Sequence, residues 1–94
     1  MGVTPKRTER KLSVEEAEQL LKNYRFSRMP IRGEIEFFLG ALQEPYRSFA
    51  TLRYRDGQTY EVIAYKLNYS PRTLFNFRKK VLKWWLGYLK GRPI

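Results

Sequence analysis

Cysteine and histidine are both missing from this 94-residue chain. Without cysteine there is no disulfide framework and no thiolate metal site, which suits a reducing cytoplasm. Without histidine the commonest general base is gone, and with it the usual zinc or copper ligand. Acid is scarce too: nine Asp and Glu stand against 19 Lys and Arg, a formal net charge of +10. No apolar run approaches the ~20 residues that a membrane helix needs. The opening "MGVTPKRTERK" lacks the apolar middle of a signal peptide, and Lys6 stands where a myristoylation signal carries Ser or Thr. These absences predict a soluble cytoplasmic chain with no membrane partner, no metal and no cofactor.

What is present is unevenly placed. Residues 1–44 carry eight Lys and Arg against seven Glu, whereas residues 45–94 carry eleven against only Asp56 and Glu61. From Ser70 onward there are seven basic residues and no acid. A solubility device spreads its charge over the surface. A block confined to one half points instead to a polyanion, and so to nucleic acid, with an ordinary solvated face as the alternative. Metal-dependent nuclease or recombinase chemistry needs clustered carboxylates, and a serine nucleophile needs a base. Asp56 and Glu61 are the only acids of the basic half, Ser13 and Ser70 read as helix caps, and Ser27 and Ser48 have no histidine to activate them. The sequence therefore predicts a binding protein and not an enzyme.

Periodicity predicts an all-α fold of about five helices. Residues 1–12 read as a disordered basic arm, and 13–94 as a single helical domain with a supporting hairpin over 13–43. Ser13 with Glu16 forms a capping box, after which Ala17, Leu20, Leu21 and Tyr24 recur at helical spacing. A second helix is expected from Ile31 to Gln43, burying Ile35, Phe38, Leu39 and Leu42. Pro45 suits the first turn of a third helix, with Phe49, Leu52 and Tyr54 inward and a stop at Asp56-Gly57. Thr59 can cap a fourth helix that Asn68 closes, and Ser70 a fifth, with Pro71 at the first position, where no N–H is required.

The stretch "YEVIAYKLNYSPRTLFNF" thus reads as two helices meeting at the corner "NYS". That is the form of a helix-turn-helix, whose second helix can enter the DNA major groove. Ala64 supplies the small residue at the crossing, and Ile63, Leu67, Tyr69, Leu74 and Phe77 the apolar lock. Projected at about 100° per residue, the long fifth helix separates Leu74, Phe77, Val81, Trp85 and Tyr88 from an opposite face of Arg72, Asn76, Lys79, Lys80, Lys83 and Lys90. Arg78 alone falls on the apolar side; it either snorkels to solvent or pairs with a Glu of the first two helices. Arg72 and Asn76, with Thr73 between them, lie in the first two turns, where Arg pairs with guanine and Asn with adenine. Phe75 either meets a thymine methyl or covers the domain edge. Lys79, Lys80 and Lys83 read as phosphate contacts. Thr59, Tyr60 and Lys66 on the preceding helix could reach the other strand, unless Tyr60 is only packed.

The elements from Leu42 to Pro45, "LRYRDG", "TYEVIAYKLNYS" and "RTLFNFRKKVL" resemble region 4 of bacterial sigma factors, over about residues 42–83. The chain is also similar to small phage and prophage late-gene activators of the ArpU and RinA type. The resemblance implies promoter binding, with Arg72, Phe75 and Asn76 at base-reading positions; Pro71 and Phe75 depart from the polar side chains often found there. No segment resembles the promoter-melting region of a complete sigma factor. The expected function is a sequence-specific transcriptional regulator of double-stranded DNA, associated with the nucleoid and of phage or prophage origin. The segment with Trp84, Trp85 and Tyr88 is either covered by the first two helices within one monomer, the reading favoured for so small a domain, or is a contact with RNA polymerase or a second copy. The rival reading is an assembly module such as a phage small terminase subunit, in which a similar helical unit recognises packaging-site DNA.

Overall fold

The computed structural model describes residues 12–91, so the basic arm expected over 1–12 lies, Leu12 apart, outside the described residues. Five α-helices follow in order: α1 (Val14–Lys22), α2 (Ile31–Ala41), α3 (Tyr46–Ala50), α4 (Tyr60–Leu67) and α5 (Pro71–Lys90). A 3₁₀ turn at Tyr24–Phe26 follows α1, and α3 runs on as a wider π-helical segment over Thr51–Arg55. No strand occurs among the described residues, and none of their helices is long and apolar enough to cross a membrane. The fold is all-α.

Local chemistry sets most of the boundaries. The Ser13 hydroxyl accepts the Glu16 N–H at 3.1 Å, and the Glu16 carboxylate accepts the Ser13 N–H at 3.0 Å, closing the capping box. The second helix stops two residues short of the expected Gln43, because Leu42 already has extended backbone (ψ 149°). Pro45 is the N-cap residue of α3 and does not sit inside its first turn. Gly57, at φ 69°, makes the turn after Arg55-Asp56 in a conformation that side chains other than Asn or Asp rarely take.

Helix α5 is the spine against which α1, α3 and α4 all pack. At its centre Trp85 is fully buried and donates its indole N–H to the Ala17 carbonyl at 2.8 Å. The Phe38 ring lies 4.9 Å away and the Tyr88 ring is stacked at 5.6 Å, so α1 and α2 close over the same indole. Burying an aromatic ring with its one donor satisfied removes a large apolar area from water at no hydrogen-bond cost. A second aromatic group surrounds the fully buried Phe49, whose ring meets Tyr54, Tyr60 and Phe77 at 6.1–6.5 Å. The two groups fix opposite ends of α5: Trp85 holds the far half against α1 and α2, and Phe49 holds the first turns against α3 and α4.

Candidate nucleic-acid interface

The corner between α4 and α5 is built from two caps and one left-handed residue. The Thr59 hydroxyl accepts the Val62 N–H at 3.2 Å and starts α4. Asn68 ends it at φ 62°, ψ 44°, a conformation Asn tolerates better than most residues. The Ser70 hydroxyl then accepts the Thr73 N–H at 3.2 Å, and Pro71 opens α5. Ile63 and Leu74 are fully buried where the two helices meet, and the Tyr69 ring packs edge-on against Phe77 at 5.1 Å. The corner is therefore held by both its hydrogen bonds and its core, and the first turns of α5 have a fixed direction relative to α4.

Arg78, the one basic residue on the inward side of α5, is fully engaged. Its guanidinium donates to both oxygens of Glu18 at 2.7 and 2.9 Å, and the Tyr54 hydroxyl donates to the same carboxylate at 2.8 Å. Burial opposes ionisation of Glu18, but the hydrogen bonds from Arg78 and Tyr54 outweigh it and hold the carboxyl below its ordinary range. The same bonds to Glu18 push the Arg78 guanidinium further up, and burial followed by the bond to Glu18 raises the Tyr54 hydroxyl. Of the two outcomes open to Arg78, the structure realises the pairing, with a glutamate of α1.

The other cations of α5 face outward. Arg72, Asn76, Lys79, Lys80, Lys83 and Lys90 are all exposed. Arg72, Asn76, Lys79 and Lys83 make no hydrogen bond or ion pair to any described residue, so their heads are available to a ligand. Lys80 is lightly tethered: its ammonium lies 5.6 Å from the centre of the Tyr46 ring and 3.3 Å from that residue's hydroxyl. The stripe runs from Arg72 to Lys90, about 27 Å at 1.5 Å per residue, with no carboxylate on α5 to interrupt it. No protein-family model, curated protein or solved structure matches the chain. What the stripe can do must therefore be read from its own chemistry.

The remaining candidates separate into presented and packed groups. Lys66 is exposed on α4. Thr59 and Thr73 have their hydroxyls committed to the helix starts, Thr73 through a 3.0 Å contact with the Ser70 hydroxyl. Phe75 is 47% exposed, its inner side resting on Tyr60 at 4.8 Å. Tyr60 is packed: its ring stacks on Phe49, the Arg53 guanidinium sits 4.5 Å above it, and burial pushes its hydroxyl up. The aromatic segment, open between core and a meeting surface for a second copy, is divided by the fold. Trp85 is core, Tyr88 is half-buried and donates its hydroxyl to Glu34, and only Trp84 reaches the surface, 42% exposed and edge-on to Tyr46 at 5.0 Å. Tyr46 itself was not among the expected inward contacts of the third helix. Its position three residues before Phe49, on the same side of α3, was the available signal.

Proposed function

We propose that this chain is a double-stranded-DNA-binding protein that places the first turns of α5 in the major groove and acts as a transcriptional regulator. The observation that carries this reading is the contrast within one helix. Arg78, facing inward, is neutralised by Glu18, while Arg72, Lys79 and Lys83, facing outward, are left without a counter-ion in the described chain. Nothing in the fold uses their charge, and a phosphate backbone would. Arg72 and Asn76 at the start of α5 are the side chains suited to base edges; Lys79, Lys80 and Lys83 lie where a helix leaving the groove would meet phosphates, and Lys66 on α4 would serve the opposite strand. The two caps and the buried Ile63 and Leu74 supply the rigidity that such docking requires.

The same arrangement supports kinship with region 4 of sigma factors and with phage late-gene activators, and the reading is of a binder and not an enzyme. Phe75, half-exposed next to Arg72 and Asn76, would offer an apolar contact to a thymine methyl. Tyr60, in turn, would serve as the platform on which Phe75 rests, leaving the opposite strand to Lys66. Selection from a random duplex pool followed by titration of the enriched site tests the assignment. Arg72→Ala should flatten the sequence preference at one or two base pairs, costing about 1–3 kcal/mol on the best site. Lys80→Ala should weaken all duplexes about equally. A pool that shows no enrichment with the unaltered chain contradicts base reading by α5.

A further inference from the structure

A groove of about 360 Å³ lies between the start of α1 and the far half of α5. Its floor is aliphatic: Val14, 43% exposed, comes from α1, and Leu82 and Leu86 come from α5. Gly87 adds no side chain, and nothing stands within 4 Å of where its Cβ would be, so the groove is open at that point. Its rim is cationic. Lys79, Lys83 and Lys90 line it, and none of them has an acidic partner among the described residues. On α1, Glu16 closes the capping box and Glu18 holds Arg78, which leaves Glu15, at the positive end of the helix dipole, against three lysines.

The spacing along α5 makes two parallel rows. Leu82 and Leu86 stand four residues apart, and Lys79, Lys83 and Lys90 run beside them on the neighbouring edge of the helix. From Lys79 to Lys90 the charged row extends about 16 Å, or three turns.

Charge and surface chemistry together decide what fits. Phosphates of a duplex would satisfy the lysines, yet they offer no apolar surface to Val14 and Leu86. No aromatic ring lines the groove, so a single-stranded base finds nothing to stack on. A second copy carries a net +10 and is repelled. Residues 1–11 hold four Lys and Arg against Glu9 alone, so that segment has the wrong sign too. Both rows are matched by a helix that bears carboxylates beside apolar side chains at four-residue spacing.

We infer that this groove docks an acidic amphipathic helix of a protein partner, its apolar side chains on Val14, Leu82 and Leu86 and its carboxylates on Lys79, Lys83 and Lys90. The inference goes beyond DNA binding and does not depend on it. Lys79 and Lys83 serve both readings, so the deciding variants belong on the apolar floor.

Fluorescence anisotropy of the full chain with labelled synthetic peptides tests this. The probe is a helix of about four turns with Leu on one face and Glu elsewhere. One control replaces Leu by Ala at equal charge, and the other replaces Glu by Lys at equal apolar area. The Glu/Leu peptide should bind with a dissociation constant of about 10–100 µM, and each control at least about tenfold more weakly. Val14→Glu puts a carboxylate on the floor at a helix start that favours one, and Gly87→Leu fills the open space without changing charge. Each should weaken the Glu/Leu peptide about tenfold with the circular dichroism spectrum unchanged. No binding of that peptide up to about 1 mM overturns the inference. Equal binding of the alanine control reduces the groove to a general polyanion surface, and undiminished affinity in either variant places the site elsewhere; both also overturn it. No DNA enters these titrations, so a failure here leaves the DNA reading standing, and the reverse also holds.

Discussion

At the scale of single residues, Glu18 is the most consequential side chain that is not apolar. It is 6% exposed and ties α1 to α5 through Arg78 and to the end of α3 through Tyr54. Removing one member of such a cluster costs more than the cluster contributes, because the partner is left with an unmet charge. Arg78→Ala leaves the carboxylate buried with only a hydroxyl, and chemical denaturation should show a loss of about 3 kcal/mol. Glu18→Gln strands a cation that keeps partial access to water, so the loss should be smaller. The pH dependence has a definite sign. Because the folded-state pKa of Glu18 is depressed, its contribution is complete above the ordinary carboxylate range. That contribution fades as pH falls through and below that range. Urea midpoints measured between pH 7 and pH 3 should fall for the native chain, and fall less for Glu18→Gln.

The sequence carried the residue pattern of this cluster only in part. Arg78 stood out because it fell on the apolar face of its helix, which left it either to snorkel to solvent or to pair with a glutamate of the first two helices. Which glutamate would meet it was not legible, since the pair is separated by 60 residues and depends on how α1 crosses α5. Trp84 and Trp85 were easier to separate. They lie about 100° apart on α5, and the projection puts Trp85 with Leu74 and Val81 on the inward face. The Ala17 carbonyl and the Phe38 ring then complete its enclosure, which the sequence did not name.

At the scale of elements, the boundaries were the most legible feature, because capping acts across three residues and is written locally. Ser13 with Glu16, Thr59, and Ser70 with Pro71 all start helices as their side chains predict, and Asn68 ends one. The π-helical segment over Thr51–Arg55 was not legible, since no residue in it carries a local signal for the wider turn. Helix α5 also carries a reserve of stability. Gly87 lies in its last two turns with open space where a Cβ would stand. Gly87→Ala should therefore stabilise the chain by about 1 kcal/mol, seen as a rise of several degrees in Tm. A fall in Tm would contradict the open space at this position.

At the scale of the whole molecule, the charge imbalance has a structural counterpart. The acidic residues sit mainly on α1, α2 and the turn into α3, where they serve caps and cross-links such as Glu16 and Glu18. Arg72, Lys79, Lys83 and Lys90, which have no acidic partner among the described residues, gather on the outer face of α5. This segregation leaves one side of the molecule suited to a polyanion. The positively charged face was legible in the sequence as a charge block, and the fold does not cover it.

The most direct test of the central claim, that the outer face of α5 holds DNA by its phosphates, is the salt dependence of duplex binding. Titration of a labelled duplex by fluorescence anisotropy at 50 and 200 mM salt gives the slope. With Lys66, Lys79, Lys80 and Lys83 each neutralising one phosphate, affinity should fall about a hundredfold across that range. The loss should shrink to about fortyfold in Lys80→Ala, as one released counter-ion is removed. No measurable binding at 50 mM, or an affinity that is the same at both concentrations, would contradict the account.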